Sequence, residues 1–432
     1  MASASFITRM KVLIVGSGGR EHALACALKK SRHELLLYCI GNNAGISQIA
    51  TMVALPLSAH RKIVDYAKEI GIEFVVIGPD EPLVNGLADL FNEASIPCFG
   101  PSKKAARIEG SKAYAKEFMK AHQIPTPAYQ VFDEVEPAKE YLKQCSYPLV
   151  IKADGLAFGK GVIIAQSKKE AEQALEQMMV QRFFGDSGST IVIEEFVTGE
   201  EVSLLVFSDG VHTAAMISAM DHKRAGDGDT GLNTGGMGVI APNPFYTESI
   251  ASYCMQHIVE PTICGLAEDG IPFVGCLFFG LMLSKTGPVV IEYNCRFGDP
   301  EAEAVLSLLE SDLFDIFKAC TEGTLDQIQV SFSTQYACSV ALVSGGYPEQ
   351  YKVGRPITIR TLPSDVQVLH AATTYDASDC LVTNGGRVLH VVANADTLER
   401  AIDLAYKGVA CISFEDMSYR TDIGQRARTK EA

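Results

Sequence analysis

The chain has 432 residues, 47% of them hydrophobic, so at roughly 150 residues per domain about three packed units are expected and general disorder is excluded. With 52 Asp+Glu against 37 Lys+Arg the formal charge is −15, the wrong sign for a protein whose affinity rests on a nucleic-acid backbone or an anionic membrane surface. A local cluster of bases can still hold a small anion inside such a chain.

The first apolar run, Val12–Val15, reads as a strand, followed by a glycine turn and a helix with Ala23, Leu24, Ala27 and Leu28 on one face. The run Leu35–Ile40, a helix carrying Ile63, Ala67 and Ile70, the run Phe74–Ile77, a helix carrying Leu83, Leu87 and Leu90, and the short Ile96–Phe99 come next. Four strands with crossovers between them predict a parallel, doubly wound α/β sheet of about 100 residues. A helix near Ser111–Ala121 ends before Pro125 and Pro127, and the prolines mark a boundary. Strand-like stretches at Leu149–Ile151, Val162–Ala165, Ile191–Glu194 and Val202–Phe207 around a helical Lys169–Met179 predict an α+β portion. A polar glycine-rich loop, Asp221–Gly238, then leads to a helix near Ser249–Asp269 and strands at Val274–Leu283 and Val289–Asn294. A third unit begins after about Val330. It contains Ala337–Val343, a turn at Gly345–Pro348, a hairpin expected about Asn384-Gly385-Gly386, and a helix Thr397–Tyr406 capped by Asp396 with Glu399.

The twelve cysteines are scattered without a CxxC pair, and no HExxH or HxH spacing occurs among the nine histidines. Reduced, mostly buried thiols of a cytoplasmic protein are expected. Residues 1–9 read as a dispensable extension rather than a signal peptide, and no run of about 18 apolar residues predicts a membrane span.

Gly16-Ser17-Gly18-Gly19-Arg20-Glu21 stands where a dinucleotide fingerprint would, but Glu21 replaces the third glycine. The second strand ends in Gly41-Asn42-Asn43 instead of a ribose-binding acid, which argues against a nicotinamide cofactor. The loop can serve a smaller anion or be a plain turn. Asp154–Gly161 has one residue too few for a Walker loop, no Ser/Thr after Lys160, and a strand after it where a helix is needed. With Lys152 on the incoming strand it resembles the phosphate cover of ATP-grasp enzymes, a hairpin loop being the plain alternative. Gly185–Ser189 superficially matches a serine-protease nucleophile loop but lacks that fold's all-β setting and reads as a surface turn.

Glu292 and Asn294, at i and i+2 on a strand, share a face, and two oxygen ligands side by side suit Mg²⁺; a solvated strand face is the alternative. Arg296-Phe297-Gly298-Asp299-Pro300-Glu301 follows at once. If the strand continues, Arg296 brings a fixed positive charge beside the metal and a transferring phosphoryl group.

From Met10 to near Arg426 the sequence resembles the phosphoribosylamine–glycine ligase family of the ATP-grasp superfamily. The resemblance rests on Val15–His22, Gly78–Val84, Glu109-Gly110-Ser111-Lys112, Ile151–Val162, Asp221-His222-Lys223-Arg224, Asn233–Gly238 and Arg296–Glu301, in that order. It implies a preATP-grasp domain at 10–110, an ATP-grasp domain at 111–332 with a lid at about 125–193, and a small α+β domain at 333–432. It implies a carbon–nitrogen ligase of purine biosynthesis, with ATP, Mg²⁺ or Mn²⁺, glycine and 5-phosphoribosylamine as its small-molecule partners, acting as a monomer without nucleic acid or membrane.

Residue by residue, the resemblance assigns Lys112, Lys152 and Lys160 to the phosphates, with Gly159 and Gly161 in the covering loop. Glu194, Glu195, Phe196, Val197 and Glu201 are assigned to adenosine, and Glu292 and Asn294 to the metal. Arg296, Asp299 and Lys152 are the implied catalytic groups. The substrate side takes Gly18, Gly19, Arg20, Asn43, Ala44 and Gly45, then Pro79, Asp80 and Glu81. It continues with Asp221, Lys223, Arg224, Gly235, Gly236, Met237, Gly238 and Gly298. Departures at Phe158, Leu232, Gly41-Asn42 and Val239–Ala241 remove none of the charged groups. A different carboxylate–amine ligase, a carboxylase, and a silent ATP-binding protein are the competing readings. A carboxylase is disfavoured because no biotin-carrier segment is seen.

Overall fold

The computed structural model describes residues 9–156 and 161–431. The chain opens with β1 (Met10–Val15), α1 (Gly19–Lys29), β2 (Leu35–Ile40), β3 (Thr51–Val53), α2 (His60–Ile70), β4 (Phe74–Ile77), α3 (Asp80–Val84), α4 (Leu87–Glu93) and β5 (Cys98–Phe99). These strands form a parallel sheet in the order β3-β2-β1-β4-β5. The sheet therefore has five strands where the sequence predicted four; β3 is three residues long, too short for a periodicity signal. The single helix expected for Leu83, Leu87 and Leu90 is two, because Gly86 breaks it with a φ of +86°.

Helices α5 (Lys103–Gly110) and α6 (Lys112–Ala121) lead into a four-stranded antiparallel sheet, β6-β9-β7-β8. Its elements are β6 (Tyr129–Phe132), α7 (Val135–Leu142), β7 (Leu149–Ala153), β8 (Val162–Ala165), α8 (Lys168–Leu175) and β9 (Ile191–Glu195). β6 and α7 escaped the sequence reading, since Asp133–Glu140 is too polar to show a clear stripe. This layer has its own core, with Leu142, Ile151, Ala171, Leu175, Met178 and Ile193 buried together.

The chain continues through β10 (Gly199–Asp209), β11 (Thr213–Ala215), β12 (Met220–Asp221), β13 (Arg224–Gly226), β14 (Thr230–Asn233) and β15 (Gly238–Ala241). The expected loop 221–238 is thus largely structured, with β13 and β14 paired as an antiparallel hairpin. Next come α9 (Glu248–Cys254), α10 (Glu260–Glu268), β16 (Val274–Ser284), β17 (Gly287–Asn294), α11 (Glu301–Val305) and α12 (Leu313–Glu322). Strands β11-β10-β16-β17 form the central antiparallel sheet.

The last part holds β18 (Tyr336–Ser344), β19 (Thr358–Ile359), β20 (Val366–His370), β21 (Thr373–Tyr375), β22 (Leu381–Thr383), β23 (Arg387–Ala395) and α13 (Leu398–Val409). Its main sheet runs β12-β15-β18-β23-β20, so two strands are borrowed from residues 220–241. The turn at Asn384–Gly386 is present, but no hairpin forms across it: β22 pairs with β21, and β23 with β18 and β20. Thr397, not Asp396, caps α13, its hydroxyl accepting from Arg400 N–H; Asp396 instead accepts from Gln335 at 3.2 Å.

Alternation along the strands welds the first sheet to the central sheet. Leu13 and Val15 pack with Val202, Leu204 and Phe279 on one face, while Val12 and Ile14 pack with Phe207, Phe278 and Phe297 on the other. Phe99 and Phe317 stack with ring centroids 4.1 Å apart at the centre of the second cluster. Among the described residues no helix is long and apolar enough to cross a membrane.

Candidate active site

A cleft of about 630 Å³ opens between the lid-like sheet, α6, the central sheet and the start of β23. At its roof, Ser111 caps α6 by accepting from Tyr114 N–H at 3.1 Å, and its hydroxyl donates to the Asp154 carboxylate at 3.0 Å. Ala113 N–H also donates to Asp154 at 3.0 Å, so the helix start grips the loop that follows β7. Lys112 reaches Gly155 O at 2.8 Å. Lys152 donates to Ile291 O at 2.7 Å and sits 2.9 Å from Glu194 Oε1. Lys116 lies 3.0 Å from the other Glu194 oxygen. Burial, partly offset by Glu194, draws the Lys116 amine down to about 8, and burial also lowers Lys112.

The floor is acidic. Glu292 Oε1 is 3.3 Å from Lys223 Nζ, and Lys223 is 3.2 Å from Glu201. The Lys223 charge, overcoming burial and aided by Lys152 and Lys112, holds the Glu292 carboxyl down at about 2. Glu109, at the end of α5, accepts from Asn294 Nδ2 at 3.0 Å and Cys295 N–H at 2.7 Å, and pairs with Arg296 at 3.1 Å. Strand β17 ends at Asn294, so Arg296 does not extend its face as the sequence reading supposed. Glu109 and Asp80 turn it into the cleft instead, Asp80 lying 3.8 Å away, and their charges outweigh burial to raise its pKa.

The far wall joins three parts of the chain. Arg387 Nη2 lies 2.9 Å from Asp299 Oδ1, and its Nη1 donates to Gly235 O at 2.8 Å and Asp299 O at 3.0 Å. Arg20 donates to Phe297 O at 3.1 Å and pairs with Glu21 at 2.7 Å. Burial pushes the Asp299 carboxyl up, but Arg387 and Arg20 win and hold it below the usual range. Asp221, raised well above its ordinary value by burial and by Glu301, leaves Oδ1 without a hydrogen-bond partner among the described residues.

Of the residues assigned from sequence, Lys112, Lys152, Gly161, Glu194, Glu195, Phe196, Val197 and Glu201 line this cleft. So do Glu292, Asn294, Arg296, Asp299, Arg20 and Asp80, and on the same wall Asp221, Lys223, Arg224 and Gly235. Gly159 and Lys160 lie outside the described residues. Gly236 and Gly298 lie just behind the surface, where a Cβ would meet Asp221 and Glu301 respectively. Gly18 and Gly19 stand over Asp299 and Glu303. Pro79 caps α3, and Glu81 accepts from Asn85 at 2.8 Å.

Asn43 is turned away from the cleft. Its amide donates to Ser17 O, His370 O and Ala371 O, and its oxygen accepts from Gly45 and Ile46 N–H. Ala44 N–H donates to Thr373 O, and Met237 and Gly238 are buried in the last sheet. Sequence reasoning gave no role to Glu109, Lys116, Asp154 or Arg387. Glu109 and Asp154 lay inside quoted motifs, whereas nothing local to Lys116 or Arg387 marks them.

A divalent cation suits Glu292 and Asn294 chemically: an ionised carboxylate and an amide oxygen are hard donors, and few protein ligands leave room for water and phosphate.

The chain matches the phosphoribosylglycinamide synthetase family models along its length: the N domain at residues 10–109, the ATP-grasp (A) domain at 110–302 and the C domain at 337–426. It is 44% identical to the phosphoribosylamine–glycine ligase of Rhizobium meliloti, over 98% of this chain and 100% of that one. It is 46% identical to a bifunctional purine biosynthetic protein of Pichia angusta, covering 97% of this chain and spanning only 54% of that protein. The solved phosphoribosylamine–glycine ligase of Thermotoga maritima superposes with a TM-score of 0.85 at 34% identity, over 96% of this chain and 100% of that one. A biotin carboxylase domain from Hydrogenobacter thermophilus, at 18% identity and a TM-score of 0.72, covers 95% of this chain and 92% of that one and shares the fold alone. The chain belongs to the phosphoribosylamine–glycine ligase family, with its N-terminal, ATP-grasp and C-terminal domains.

Proposed function

We propose that the chain joins glycine to 5-phosphoribosylamine in an ATP-dependent reaction, giving glycinamide ribonucleotide, ADP and phosphate. The observation that carries this reading is the meeting of Lys112, Lys152, Glu292, Asn294 and Arg296 in one cleft, within a chain that matches the family over nearly its whole length. A carboxylate does not condense with an amine at neutral pH, so a glycine carboxylate oxygen first attacks the γ-phosphorus and ADP departs, leaving glycyl phosphate. The amine nitrogen of phosphoribosylamine then attacks the carbonyl carbon, phosphate leaves with the bonding pair, and the nitrogen gives up a proton.

In this reading Lys112 and Lys152, with Lys160 and the glycines beside it, neutralise the phosphates. Glu194–Val197 and Glu201 line the adenosine end. Asp221 receives the glycine ammonium, which supplies the partner its Oδ1 lacks. Arg296, held by Glu109 and Asp80, faces the charge that develops on the transferring phosphoryl group. Asp299, Arg387 and Arg20 form the phosphosugar side. Glu292 and Asn294 would hold Mg²⁺ or Mn²⁺, which supplies charge neutralisation to the phosphates when bound. The separate core of the 129–195 layer supports its closing as a lid that excludes water.

We divide the chain at about 110 and 332 and take one copy, in the cytoplasm, as the working unit. The test is ADP release with purified protein, which is expected to require glycine and phosphoribosylamine together. Turnover with another acid in the absence of phosphoribosylamine would sink the assignment. ¹⁸O placed in the glycine carboxylate is expected to appear in inorganic phosphate; unlabelled phosphate would exclude the acyl phosphate.

A further inference from the structure

Glu303, in α11, and His390, in β23, face each other where the three parts of the chain meet, and the reaction just described uses neither. Glu303 is 1% exposed and His390 0%. Both Glu303 oxygens and both His390 ring nitrogens lack a hydrogen-bond partner among the described residues, while Glu303 Oε1 lies 3.6 Å from His390 Nε2. A Cβ at Gly19 would fall against both groups, so the first residue of α1 rests directly on the pair.

A buried polar atom without a partner is destabilising, and an ionised carboxylate in that position more so. The surrounding elements carry Asp299 just before α11, Glu301 on α11 itself, Arg387 on β23, Arg20, Glu21 and His22 on α1, and His370 on β20. Their cations are engaged elsewhere. Arg387 holds Asp299 and Gly235 O, and Arg20 holds Glu21 and Phe297 O. Glu301 accepts from Ser203 at 2.8 Å, and His22 and His370 bond one another through the His370 N–H.

The ligand atoms of Asp299, Glu303 and His390 lie within 4.8 Å of one another, which is also metal-site spacing. A cation there would sit against the Arg387 guanidinium, 2.9 Å from Asp299. A proton removes the same defect and adds no excess charge. About 0.8 Å of side-chain movement closes the gap to a normal hydrogen bond.

We propose that Glu303 and His390 share one proton, the Glu303 carboxylic acid donating to Nε2 of a neutral His390, so that Asp299 keeps its hold on Arg387 and the start of α1. Burial, with Asp299 adding to it, pushes the Glu303 carboxyl well up, and burial draws His390 down to about 4; both displacements favour the neutral forms. The pair touches no substrate and acts as a positioning device through Asp299. It does not depend on which acid and amine the enzyme joins.

Difference infrared spectroscopy of the full chain at neutral pH tests the proposal. A protonated-carboxyl C=O stretch is expected in wild type, absent in E303Q and shifted in H390N. An ionised Glu303 band, or a bound metal ion that E303Q releases, overturns it. Melting curves give a second readout. A carboxyl protonated in the fold and ionised when unfolded contributes stability that is full below about pH 4.3 and lost as pH rises. E303Q has no such loss, so it is expected to melt progressively higher relative to wild type from about pH 5 to about pH 8. A constant gap contradicts the shared proton. E303Q, still a donor to His390, is expected to keep kcat within about threefold, whereas E303A loses about tenfold with KM for ATP little changed. Wild-type kcat in E303A would break the link to Asp299.

Discussion

Arg296 owes its orientation to Glu109 and Asp80, not to the strand that precedes it. Arg296→Ala is expected to lower kcat by about 100-fold or more while ATP still binds, because in the proposed reaction its charge acts on the transition state. Rapid-quench turnover alongside a nucleotide-binding titration checks this. Glu109→Ala removes the partner of a backbone amide, an amide side chain and a guanidinium at once. A loss of about 3–5 kcal/mol is expected, measured by denaturant unfolding, with Glu109→Gln losing less. The cleft-lining side chains proposed for the chemistry were legible because each sits in a short run of unusual residues, as at Glu292-Tyr293-Asn294 and Arg296–Glu301. Arg387 was not, since it follows an ordinary glycine turn and becomes part of the site only when β23 comes up against Asp299.

Among the elements, the β13–β14 hairpin depends on a distant segment. Arg420, 2% exposed, donates to Arg224 O at 3.1 Å and Asp229 at 2.8 Å, while Asp422 accepts from Gly228 N–H at 2.8 Å. Arg420→Met removes the two Arg420 bonds to the hairpin and leaves Asp422 without its cation, while Asp229 keeps Arg426 at 3.3 Å. A cost of about 1–3 kcal/mol is expected, less than for a fully buried pair because both aspartates are partly exposed. The sharper readout is a raised KM for phosphoribosylamine, together with new proteolytic cleavage in 224–233. Strands that are continuous apolar runs came through the sequence well, as at Leu35–Ile40 and Phe74–Ile77. This hairpin did not, because Thr230–Asn233 is exposed throughout and carries no apolar alternation.

For the whole molecule, buried neutral histidines sit where its parts meet. His370 N–H donates to His22 Nδ1 at 2.7 Å, and Gly424 N–H to His222 Nε2 at 3.0 Å. Burial lowers His22 to about 3, with His370 adding to it, and lowers His222, with Arg420 adding to it, to about 4; burial alone takes His370 to about 4. A base with a depressed folded pKa binds fewer protons than in the unfolded chain. Its contribution is therefore full above about pH 6.5 and is lost as pH falls through the folded value. The melting temperature is expected to fall between about pH 6.5 and pH 4, and His22→Gln is expected to flatten that slope. A flat profile across the window would show that the junctions are not what fails in acid.

Composition, apolar periodicity and the order of short motifs were enough to determine the class of fold, the ligase family and most of the charged groups, because each depends on residues close together in the chain. Division by length gave three units without saying how they join. The tertiary structure decided that: β12 and β15 complete the last sheet, Val12–Val15 shares its cores with the central strands, and Glu109, Arg387 and the Glu303–His390 pair acquire their surroundings from segments far along the chain. It also gave the net charge of −15 a local meaning, since Lys112, Lys116, Lys152, Lys223 and Arg296 converge on one cleft although the chain as a whole is acidic. Such convergence rests on long-range packing and desolvation, which no local pattern of residues encodes.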